Sequence, residues 1–247
     1  MKKNSIALIT GGGTGIGFAI AKHLHSMKYT VVLTGRRKNK LIEAKKKLKT
    51  RCHIFNNDIS DKSSITALVD NIEKKIGNID ILINNAGTHL RKKALDTTDE
   101  EWNKIIDTNL NSVFSLSREC AKKMIKRKKG NIIMIGSVTS IMGLPDVSAY
   151  ATTKTALTGL TRILAIELGK FSINVNCICP GFIKTAIFAR VRKKDPKRFD
   201  KILSRTPLNR FGRVEDISSV VGFLCSPAAN FITGSIIPVD GGFHSSF

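Results

Sequence analysis

Residues 10–17 have the sequence Thr-Gly-Gly-Gly-Thr-Gly-Ile-Gly, and this stretch decides the fold. It follows an apolar, strand-like run and opens a segment with apolar residues at helical spacing. Gly11 permits a tight turn, Gly15 lets a pyrophosphate approach the backbone, and Gly17 lets the helix pack closely on a sheet. The other cofactor-binding candidates in the turn are Gly13, Thr14 and Ile16. The order strand, glycine turn, helix therefore predicts a dinucleotide-binding site at a helix N-terminus.

Strands and helices alternate along the rest of the chain. Strand-like runs fall at residues 5–10, 30–34, 53–55, 79–83, 132–135, 173–178 and 235–239, and helical segments at 15–27, 38–49, from 61 onward, 99–126, 148–169 and 214–224. This alternation favours parallel strands with right-handed crossovers, and the continuous apolar strands indicate helices on both faces. We predict one α/β domain over residues 1–247, a doubly wound Rossmann fold with a sheet of about seven parallel strands.

Residues 181–212 are too long for an ordinary connection in such a fold. They contain Pro196 and Pro207, and we expect short helices there. Because ligands bind at the carboxyl ends of the strands, this insertion is predicted to be a substrate-binding lid. It is called the lid segment below.

Composition limits the class of protein. The chain has 247 residues with 42% apolar content, which suits one domain with a sizeable core. No apolar run approaches the ~20 residues of a membrane span, and the segment from Met1 to Ser5 leads into an apolar run that is too short for a signal peptide. We therefore expect a cytoplasmic protein without a membrane partner.

Cysteine and histidine usage points away from disulfides and metals. The five cysteines form an odd, scattered set, and no Cys/His spacing resembles a zinc site. Cys177 and Cys179 are predicted to be small, buried side chains on one face of a strand.

The formal net charge of +22 is the strongest compositional bias. The charges are spread over residues 45–49, 122–129 and 190–198, and no segment matches a nucleic-acid-binding motif. We expect a solvated, lysine-rich surface and no nucleic-acid partner, although such a surface attracts anionic cofactors and substrates. A nucleic-acid-binding protein recruited by its charge is the alternative, which a salt-titrated DNA-binding assay tests.

The end of the second strand indicates which cofactor is preferred. It has the sequence Leu33-Thr34-Gly35-Arg36-Arg37, without the carboxylate that would bind a ribose 2′-hydroxyl and repel a 2′-phosphate. Guanidinium groups bind phosphate well, so NADP(H) is predicted, with NAD(H) as the lesser option. Arg36 is the first candidate for the phosphate contact and Arg37 the second; the alternative is that both are solvated at a helix start.

Two further segments are candidates for the rest of the dinucleotide. Asp58 and Ile59 follow the third strand, where the Asp58 carboxylate is placed to accept a hydrogen bond from adenine or to serve a turn. The fourth strand ends in Asn-Asn-Ala-Gly at residues 84–87. Small residues at Asn85, Ala86 and Gly87 let the backbone approach the nicotinamide side.

The predicted catalytic residues meet at the same sheet edge. Tyr150 and Lys154 are spaced i, i+4, which puts them on one face of a helix. A free tyrosine has a pKa near ~10, and a nearby ammonium is expected to lower it toward the working pH. Ser137 follows the fifth strand and is placed to hold the substrate oxygen. The side-chain amide of Asn109 is predicted to hold a water that links Lys154 to solvent.

At these residues the chain resembles the short-chain dehydrogenase/reductase family over essentially its full length. The matching segments are residues 10–17, 84–87, 180–181 and 239–242, with Asn109, Ser137, Tyr150 and Lys154. The resemblance implies that these last four residues form a catalytic tetrad, and that Tyr150 and Lys154 also contact the nicotinamide ribose. It implies that the loop with Pro180, Gly181, Ile183 and Thr185 closes on the nicotinamide. It further implies hydride transfer between a ketone and a secondary alcohol, in a homotetramer with interfaces on the long helices and the C-terminal strand.

Two subfamilies are similar enough to suggest a small-molecule substrate. Arg91, with Lys92, resembles a basic pair of the gluconate 5-dehydrogenase-like group, although Leu90 replaces its first arginine. Arg91, Ser137 and Tyr150 are then the predicted substrate contacts, and a keto sugar acid is the favoured substrate.

The alternative is a 3-oxoacyl-(acyl-carrier-protein) reductase, whose acidic carrier protein would dock on Lys126 to Lys129. Against it, Phe171 stands where those reductases commonly have a docking arginine. A cofactor-sensing regulator is the non-enzyme alternative.

Overall fold

A seven-stranded parallel sheet organises the molecule. The computed structural model describes residues 5–246 except the side chains of residues 187, 190, 191 and 194, so the lead from Met1 to Asn4 lies outside the described residues. The strands are β1 (Ile6–Thr10), β2 (Thr30–Gly35), β3 (Cys52–Asn56), β4 (Ile79–Asn84), β5 (Gly130–Ile135), β6 (Ile173–Pro180) and β7 (Ile236–Val239). Their order is β3-β2-β1-β4-β5-β6-β7, with every pairing parallel. The predicted doubly wound Rossmann fold is confirmed, and the strand order reverses between β1 and β4.

Helices cover both faces of this sheet. They are α1 (Gly15–Ser26), α2 (Lys38–Leu48), α3 (Ile65–Lys75), α4 (Asp99–Ile106), α5 (Ser112–Arg127), α6 (Ser148–Gly169), α7 (Ala186–Lys194), α8 (Pro196–Ser204) and α9 (Val214–Leu224). Alternate strand residues point to opposite layers, so Leu8 packs in the core with α3, α5 and α6, whereas Ile9 packs in the core with α1, α2 and α9. Burial of both faces explains the continuous apolar strands.

One predicted helix is interrupted where the chain approaches the catalytic residues. The segment predicted as helical over 99–126 consists of α4, a π-helical turn over Asp107–Asn111, and α5. Such turns insert an extra residue into a helix and are frequent at functional sites. The turn carries Asn109, whose side chain is fully buried.

The lid segment folds into two short helices, as predicted. Helices α7 and α8 pack through Phe188 and Phe199, whose ring centroids lie 4.8 Å apart, and both rings contact Phe211. These aromatic residues belong to a third apolar cluster, which includes Val138 next to the predicted catalytic serine. A parallel bridge between Ile183 and Gly212 joins the two ends of the segment. The lid segment is thus anchored directly beside the end of β5.

Three properties of the described part of the chain bear on function. None of its helices is long and apolar enough to cross a membrane. Within residues 5–246 no group of three or more His, Cys, Asp or Glu side chains is arranged to bind a metal ion. All five cysteines are buried free thiols.

Candidate active site

The glycine turn is tight because several of its glycines have no room for a side chain. Gly11 has a φ of +65°, and a Cβ atom there would lie 2.9 Å from Asn85 Nδ2. A Cβ atom on Gly17 would collide with the Gly11 carbonyl oxygen. The Gly11 amide donates to the Thr34 carbonyl at 2.8 Å, which ties the turn to the end of β2. The turn therefore has the close backbone packing that the sequence predicts.

The N-terminus of α1 is free to bind an anion. Thr14 is its N-cap residue, but its side chain caps no backbone amide and instead accepts a hydrogen bond from Arg37 Nη2 at 3.0 Å. A Cβ atom on Gly15 would have only the Thr185 methyl group within 4 Å, at 3.8 Å. Open backbone amides at a helix N-terminus favour phosphate. These residues thus fit the pyrophosphate of a dinucleotide, with Thr185 of the lid segment opposite Gly15.

The end of β2 presents two differently arranged arginines. Arg37 reaches back to Thr14, whereas Arg36 is exposed and its guanidinium forms no ion pair or hydrogen bond with a residue that the structure describes. Asn56 Nδ2 donates to the carbonyl oxygens of Gly35 and Arg36 at 2.7 and 3.0 Å, which fixes the backbone here. Among residues 5–246, no described carboxylate forms an ion pair with either guanidinium group. A 2′-phosphate would therefore meet an available cation at this position.

Asp58 serves a turn in this structure. Its Oδ1 accepts hydrogen bonds from the backbone amide and hydroxyl of Ser60 at 3.0 and 2.8 Å. The following short helical turn is capped by Asp61 rather than Asp58. Of the two roles considered for Asp58, the structure shows the turn. The adjacent Ile59 is buried.

Thr10 fixes the Asn-Asn-Ala-Gly segment, a role that the sequence did not predict for it. Thr10 Oγ1 accepts hydrogen bonds from the backbone amides of Asn85 and Ala86 at 3.0 and 2.9 Å. Asn85 Nδ2 donates in turn to the Thr10 carbonyl at 2.8 Å. Thr10 thus joins the ends of β1 and β4 at the point where strand order reverses. The only indication of this role in the sequence is that Thr10 belongs to the glycine stretch of residues 10–17.

Ser137, Tyr150 and Lys154 lie together at the carboxyl edge of the sheet. Ser137 follows β5, is buried, and its side chain is near enough to the Tyr150 phenol to lower the pKa of that phenol. Ser140 Oγ accepts from the Ser137 amide at 3.1 Å and donates to the Lys154 carbonyl at 2.8 Å, which couples this turn to α6. Lys154 Nζ lies 5.8 Å from the Tyr150 ring centroid. The predicted acid–base group and its neighbours are therefore brought together.

The electrostatics of this cluster differ from the prediction in one respect. Burial raises the pKa of Tyr150 above its ordinary value, and the nearby Ser137 side chain offsets this only in part. Burial also lowers the pKa of Lys154 from 10.5 to about 8, because desolvation penalises the ammonium. Lys154 Nζ donates to the Ile135 carbonyl at 2.7 Å rather than to the phenol. The expectation that Lys154 lowers the phenol pKa is wrong for the chain alone, since desolvation dominates.

Asn109 joins the loop after β4 to α6 through its side-chain amide. Its Oδ1 accepts from the Thr88 amide at 2.8 Å, and its Nδ2 donates to the Thr88 carbonyl and to Thr153 Oγ1 at 2.8 and 3.3 Å. The side-chain amide therefore positions the loop after β4, and a water held between Asn109 and Lys154 stays a prediction. A Cβ atom on Gly87 would lie 3.3 Å from Asn109 Oδ1 and 3.6 Å from Lys154 Nζ. Because Gly87 has no side chain, the space between its backbone and Lys154 Nζ stays open.

The loop after β4 also brings residues that the sequence reasoning missed. The His89 ring lies 4.6 Å from the Tyr150 ring, centroid to centroid, at a 51° tilt. Arg91 follows two residues later and forms ion pairs with Asp146 at 3.7 Å and Asp195 at 3.3 Å. The charge of the predicted substrate contact Arg91 lowers the pKa of His89, although less than burial does. In the sequence, the only indication of the contact between His89 and Tyr150 is that His89 comes two residues after the Asn-Asn-Ala-Gly segment.

Two thiols lie beneath the candidate active site, next to Gly136. A Cβ atom on Gly136 would lie 2.9 Å from Cys177 Sγ, 3.1 Å from Cys179 Sγ and 3.1 Å from Ser140 Oγ. Both thiols are fully buried, as predicted, on one face of β6. They act on Lys154, because both raise the pKa of its ammonium against the larger effect of burial.

The loop from Pro180 to Thr185 leads from the sheet edge into the lid segment. Pro180 is the last residue of β6, and a Cβ atom on Gly181 would lie 2.6 Å from Asp240 Cβ. Ile183 is buried, and Thr185 Oγ1 accepts from the Phe188 amide at 3.2 Å at the start of α7. Contact of this loop with a nicotinamide stays a prediction.

A doubly wound sheet with a glycine turn and a Ser–Tyr–Lys cluster on one edge defines an oxidoreductase of the Rossmann class. A family model described as enoyl-(acyl carrier protein) reductase matches residues 11–244. The chain belongs to the short-chain dehydrogenase/reductase family of oxidoreductases. The resemblance noted in the sequence is thereby confirmed.

The relatives include both subfamilies that the sequence suggests. The chain is 39% identical over 245 residues to a 2-dehydro-3-deoxy-D-gluconate 5-dehydrogenase of Bacillus subtilis, covering 98% of this chain and 96% of the relative. It is 38% identical over 242 residues to a 3-oxoacyl-(acyl-carrier-protein) reductase of Buchnera aphidicola, covering 97% of each. A solved gluconate 5-dehydrogenase from Burkholderia cenocepacia, in complex with NADP and tartrate, superimposes with a TM-score of 0.94 at 31% identity, covering 100% of this chain and 97% of that chain.

Proposed function

We propose that this chain is an NADP(H)-dependent oxidoreductase that interconverts a keto sugar acid and the corresponding secondary alcohol. The observation that carries the proposal is that Ser137, Tyr150 and Lys154 lie together on the sheet edge that also carries the glycine turn. When bound, the nicotinamide cofactor supplies or accepts the hydride. The chain's own residues bind the substrate oxygen and move its proton.

The side chains support reduction with Tyr150 as the acid. Because burial raises its pKa, the phenol stays protonated at neutral pH and is available to a developing alkoxide. The Ser137 hydroxyl, fixed by the Ser140 turn, holds the same oxygen and stabilises its negative charge. Lys154, held by the Ile135 carbonyl, adds a positive charge 5.8 Å from the Tyr150 ring when it is protonated. Asn109 positions the loop that faces them.

The preference for NADP(H) is supported by the arginines after β2. Arg36 offers an exposed guanidinium without a described partner, and Arg37 Nη2 bonds Thr14 Oγ1 at the N-terminus of α1. No carboxylate occupies the end of β2, so nothing there repels a 2′-phosphate. The relative from Burkholderia cenocepacia binds NADP in its solved complex, which agrees with this assignment.

A carboxylate substrate is supported by Arg91. This residue lies on the loop whose His89 ring contacts Tyr150, and its charge acts on His89. Two of the relatives act on gluconate-type substrates by name, and one of them binds tartrate, a dicarboxylate. Arg91, Ser137 and Tyr150 are accordingly the proposed substrate contacts.

The test is a substrate screen with purified chain. NADPH and NADH oxidation are followed with 5-ketogluconate, other keto sugar acids and acetoacetyl thioesters. The proposal expects the highest kcat/KM with a keto sugar acid and NADPH. A preference for the thioester over every keto acid would contradict it.

The second candidate is a 3-oxoacyl-(acyl-carrier-protein) reductase. It is favoured by the 38% identical relative that carries this name and by the basic residues near the end of α5, where an acidic carrier protein would dock. Phe171 is unfavourable to it, because its partly buried ring packs against the core instead of presenting a cation. A cofactor-sensing regulator is disfavoured, because Ser137, Tyr150 and Lys154 are together and Asn109 supports them.

We also propose a homotetrameric assembly in the cytoplasm. Its support is the exposed apolar surface of the long helices: Ile163 and Ile166 on α6 are 54% and 77% exposed, and Phe114 on α5 is 44% exposed. Exposed apolar patches of this kind mark protein interfaces. Light scattering coupled to size exclusion tests the assembly, and a monomer at micromolar concentration would contradict it.

A further inference from the structure

A charged cluster beside Tyr150 is not used by the proposed proton transfer. Arg91 lies two residues after His89, which stacks on the Tyr150 ring at 4.6 Å. Across from it, Asp195 precedes α8 of the lid segment, and Asp195 Oδ2 lies 3.3 Å from Arg91 Nη1. This ion pair joins the loop after β4 to a residue 104 positions later in the chain. The lid segment is therefore held against the substrate side of the site by a charge contact.

Arg198 stands on the other side of the same carboxylate. Asp195 Oδ1 accepts a hydrogen bond from the Arg198 backbone amide at 3.3 Å and so caps α8. The Arg198 guanidinium itself forms no ion pair or side-chain hydrogen bond with any residue that the structure describes. Burial and the charge of Arg91 both lower its pKa, and the two arginines also lower the pKa of His89 after the larger effect of burial. Arg91 and Arg198 are thus linked through the two oxygens of Asp195, and both act on His89, whose ring lies 4.6 Å from that of Tyr150.

The carboxylates now on Arg91 are readily replaced. Asp195 and Asp146 keep 36% and 34% of their side-chain surface exposed, and ion pairs exposed to this degree contribute little to stability. A carboxylate held by two guanidinium groups gains charge-assisted hydrogen bonds that neither aspartate makes with Arg198. A ligand carboxylate that binds beside His89 therefore gains more interaction free energy from the two arginines than is lost when Asp195 leaves Arg91.

We propose that Arg91 and Arg198 form a clamp for the carboxylate of the substrate, and that Asp195 occupies Arg91 until the substrate displaces it. The inference rests on the proposed keto acid function and adds Arg198 and Asp195 as specificity-determining residues. The substrate class is a short keto acid whose carbonyl oxygen meets Tyr150 while its carboxylate meets the lid segment. When the acid binds, the ion pair between Arg91 and Asp195 is replaced by an ion pair between the arginines and the substrate carboxylate.

The test compares an acid with its neutral amide. Reduction of 5-ketogluconate and of its carboxamide is measured for wild type, Arg198→Gln, Asp195→Asn and Lys197→Gln, the last an exposed neighbour on α8 that serves as control. Arg198→Gln is expected to raise KM for the acid about tenfold and to leave kcat, and KM for the amide, within about twofold. Asp195→Asn is expected to lower KM for the acid, because Arg91 loses its competitor. Lys197→Gln is expected to change neither substrate's KM.

Equal changes for acid and amide in Arg198→Gln would overturn the clamp, as would no change at all. If the chain reduces neutral ketones but no keto acid, the proposed function fails, and a second measurement decides on the clamp separately. Calorimetric titration of tartrate into the NADP-loaded chain reports carboxylate binding without turnover. The clamp predicts that Arg198→Gln weakens tartrate about tenfold, whereas Lys197→Gln leaves its affinity unchanged. Absent binding to wild type, or equal binding to Arg198→Gln, would overturn it.

Discussion

Lys154 Nζ lies 5.8 Å from the centroid of the Tyr150 ring but donates its hydrogen bond to a main-chain carbonyl at the end of β5. The ammonium is therefore fixed by the sheet rather than by the phenol. Burial acts on both groups in the direction of their neutral forms, since it raises the pKa of Tyr150 and lowers that of Lys154. In the chain alone, Tyr150 is therefore held protonated at neutral pH, whereas Lys154 loses its proton more readily than a solvated lysine.

Replacement of Tyr150 by phenylalanine removes the proton donor and little else. We expect turnover to fall about a thousandfold or more, since general acid catalysis contributes on this scale, with cofactor affinity nearly unchanged. The chain has two tyrosines, and Tyr29→Phe is the matched control. The Tyr29 hydroxyl donates to the Cys225 carbonyl at 2.9 Å in the core, so its loss affects stability and not turnover. Unchanged turnover in Tyr150→Phe would remove this phenol from the mechanism.

Cofactor preference is expected to depend more on Arg36 than on Arg37. Arg36→Asp replaces the unpartnered cation by an anion that repels a 2′-phosphate, so we predict at least a tenfold shift toward NADH. Arg37 is already bonded to Thr14 at the N-terminus of α1, so Arg37→Gln is expected to weaken both cofactors to a similar extent. The ratio of kcat/KM for NADPH and NADH measures both. An unaltered ratio in Arg36→Asp would place the phosphate contact elsewhere.

Stability should report the lowered pKa of Lys154. Between about pH 8 and its ordinary pKa of 10.5, the unfolded chain keeps a proton on this lysine that the folded chain has lost. The unfolded state then binds more protons, so this group adds to the free energy of unfolding as the pH rises through that window. Denaturant unfolding of wild type and Lys154→Met, without cofactor, isolates the contribution. We expect wild type to gain on the order of 1–3 kcal/mol relative to the variant, whereas parallel pH curves would contradict this.

Much of the fold is predictable because it is locally determined. The bounds of α6 and α9 agree with the sequence to the residue, and all seven predicted strands are present. Apolar runs, glycine turns and helical spacing are properties of neighbouring residues, so one sequence contains them. The convergence of Ser137, Tyr150 and Lys154 follows from the topology, since parallel strands bring their carboxyl ends to one edge.

What the sequence could not supply depends on contacts between distant segments. The stacking of His89 on Tyr150 and the ion pair between Arg91 and Asp195 arise from side-chain packing across loops. The π-helical turn that carries Asn109 likewise has no local signal, because Asp107–Asn111 look helical in sequence. The direction of the Tyr150 pKa shift was missed for the same reason, since the sequence shows a lysine nearby but not the extent of desolvation.

The thiols beneath the site offer a way to move the Lys154 titration without touching the reacting groups. Cys177 and Cys179 both raise the pKa of Lys154, so Cys177→Ala combined with Cys179→Ala should lower that pKa further below 8. NMR titration of the lysine side chains in the cofactor-free chain measures it, with Lys154→Met providing the assignment. Cys120→Ala is the matched control, because it removes an equally buried thiol from the core between α5 and the sheet. A Lys154 titration that is the same in all three proteins would show that the two thiols only fill space beneath Gly136.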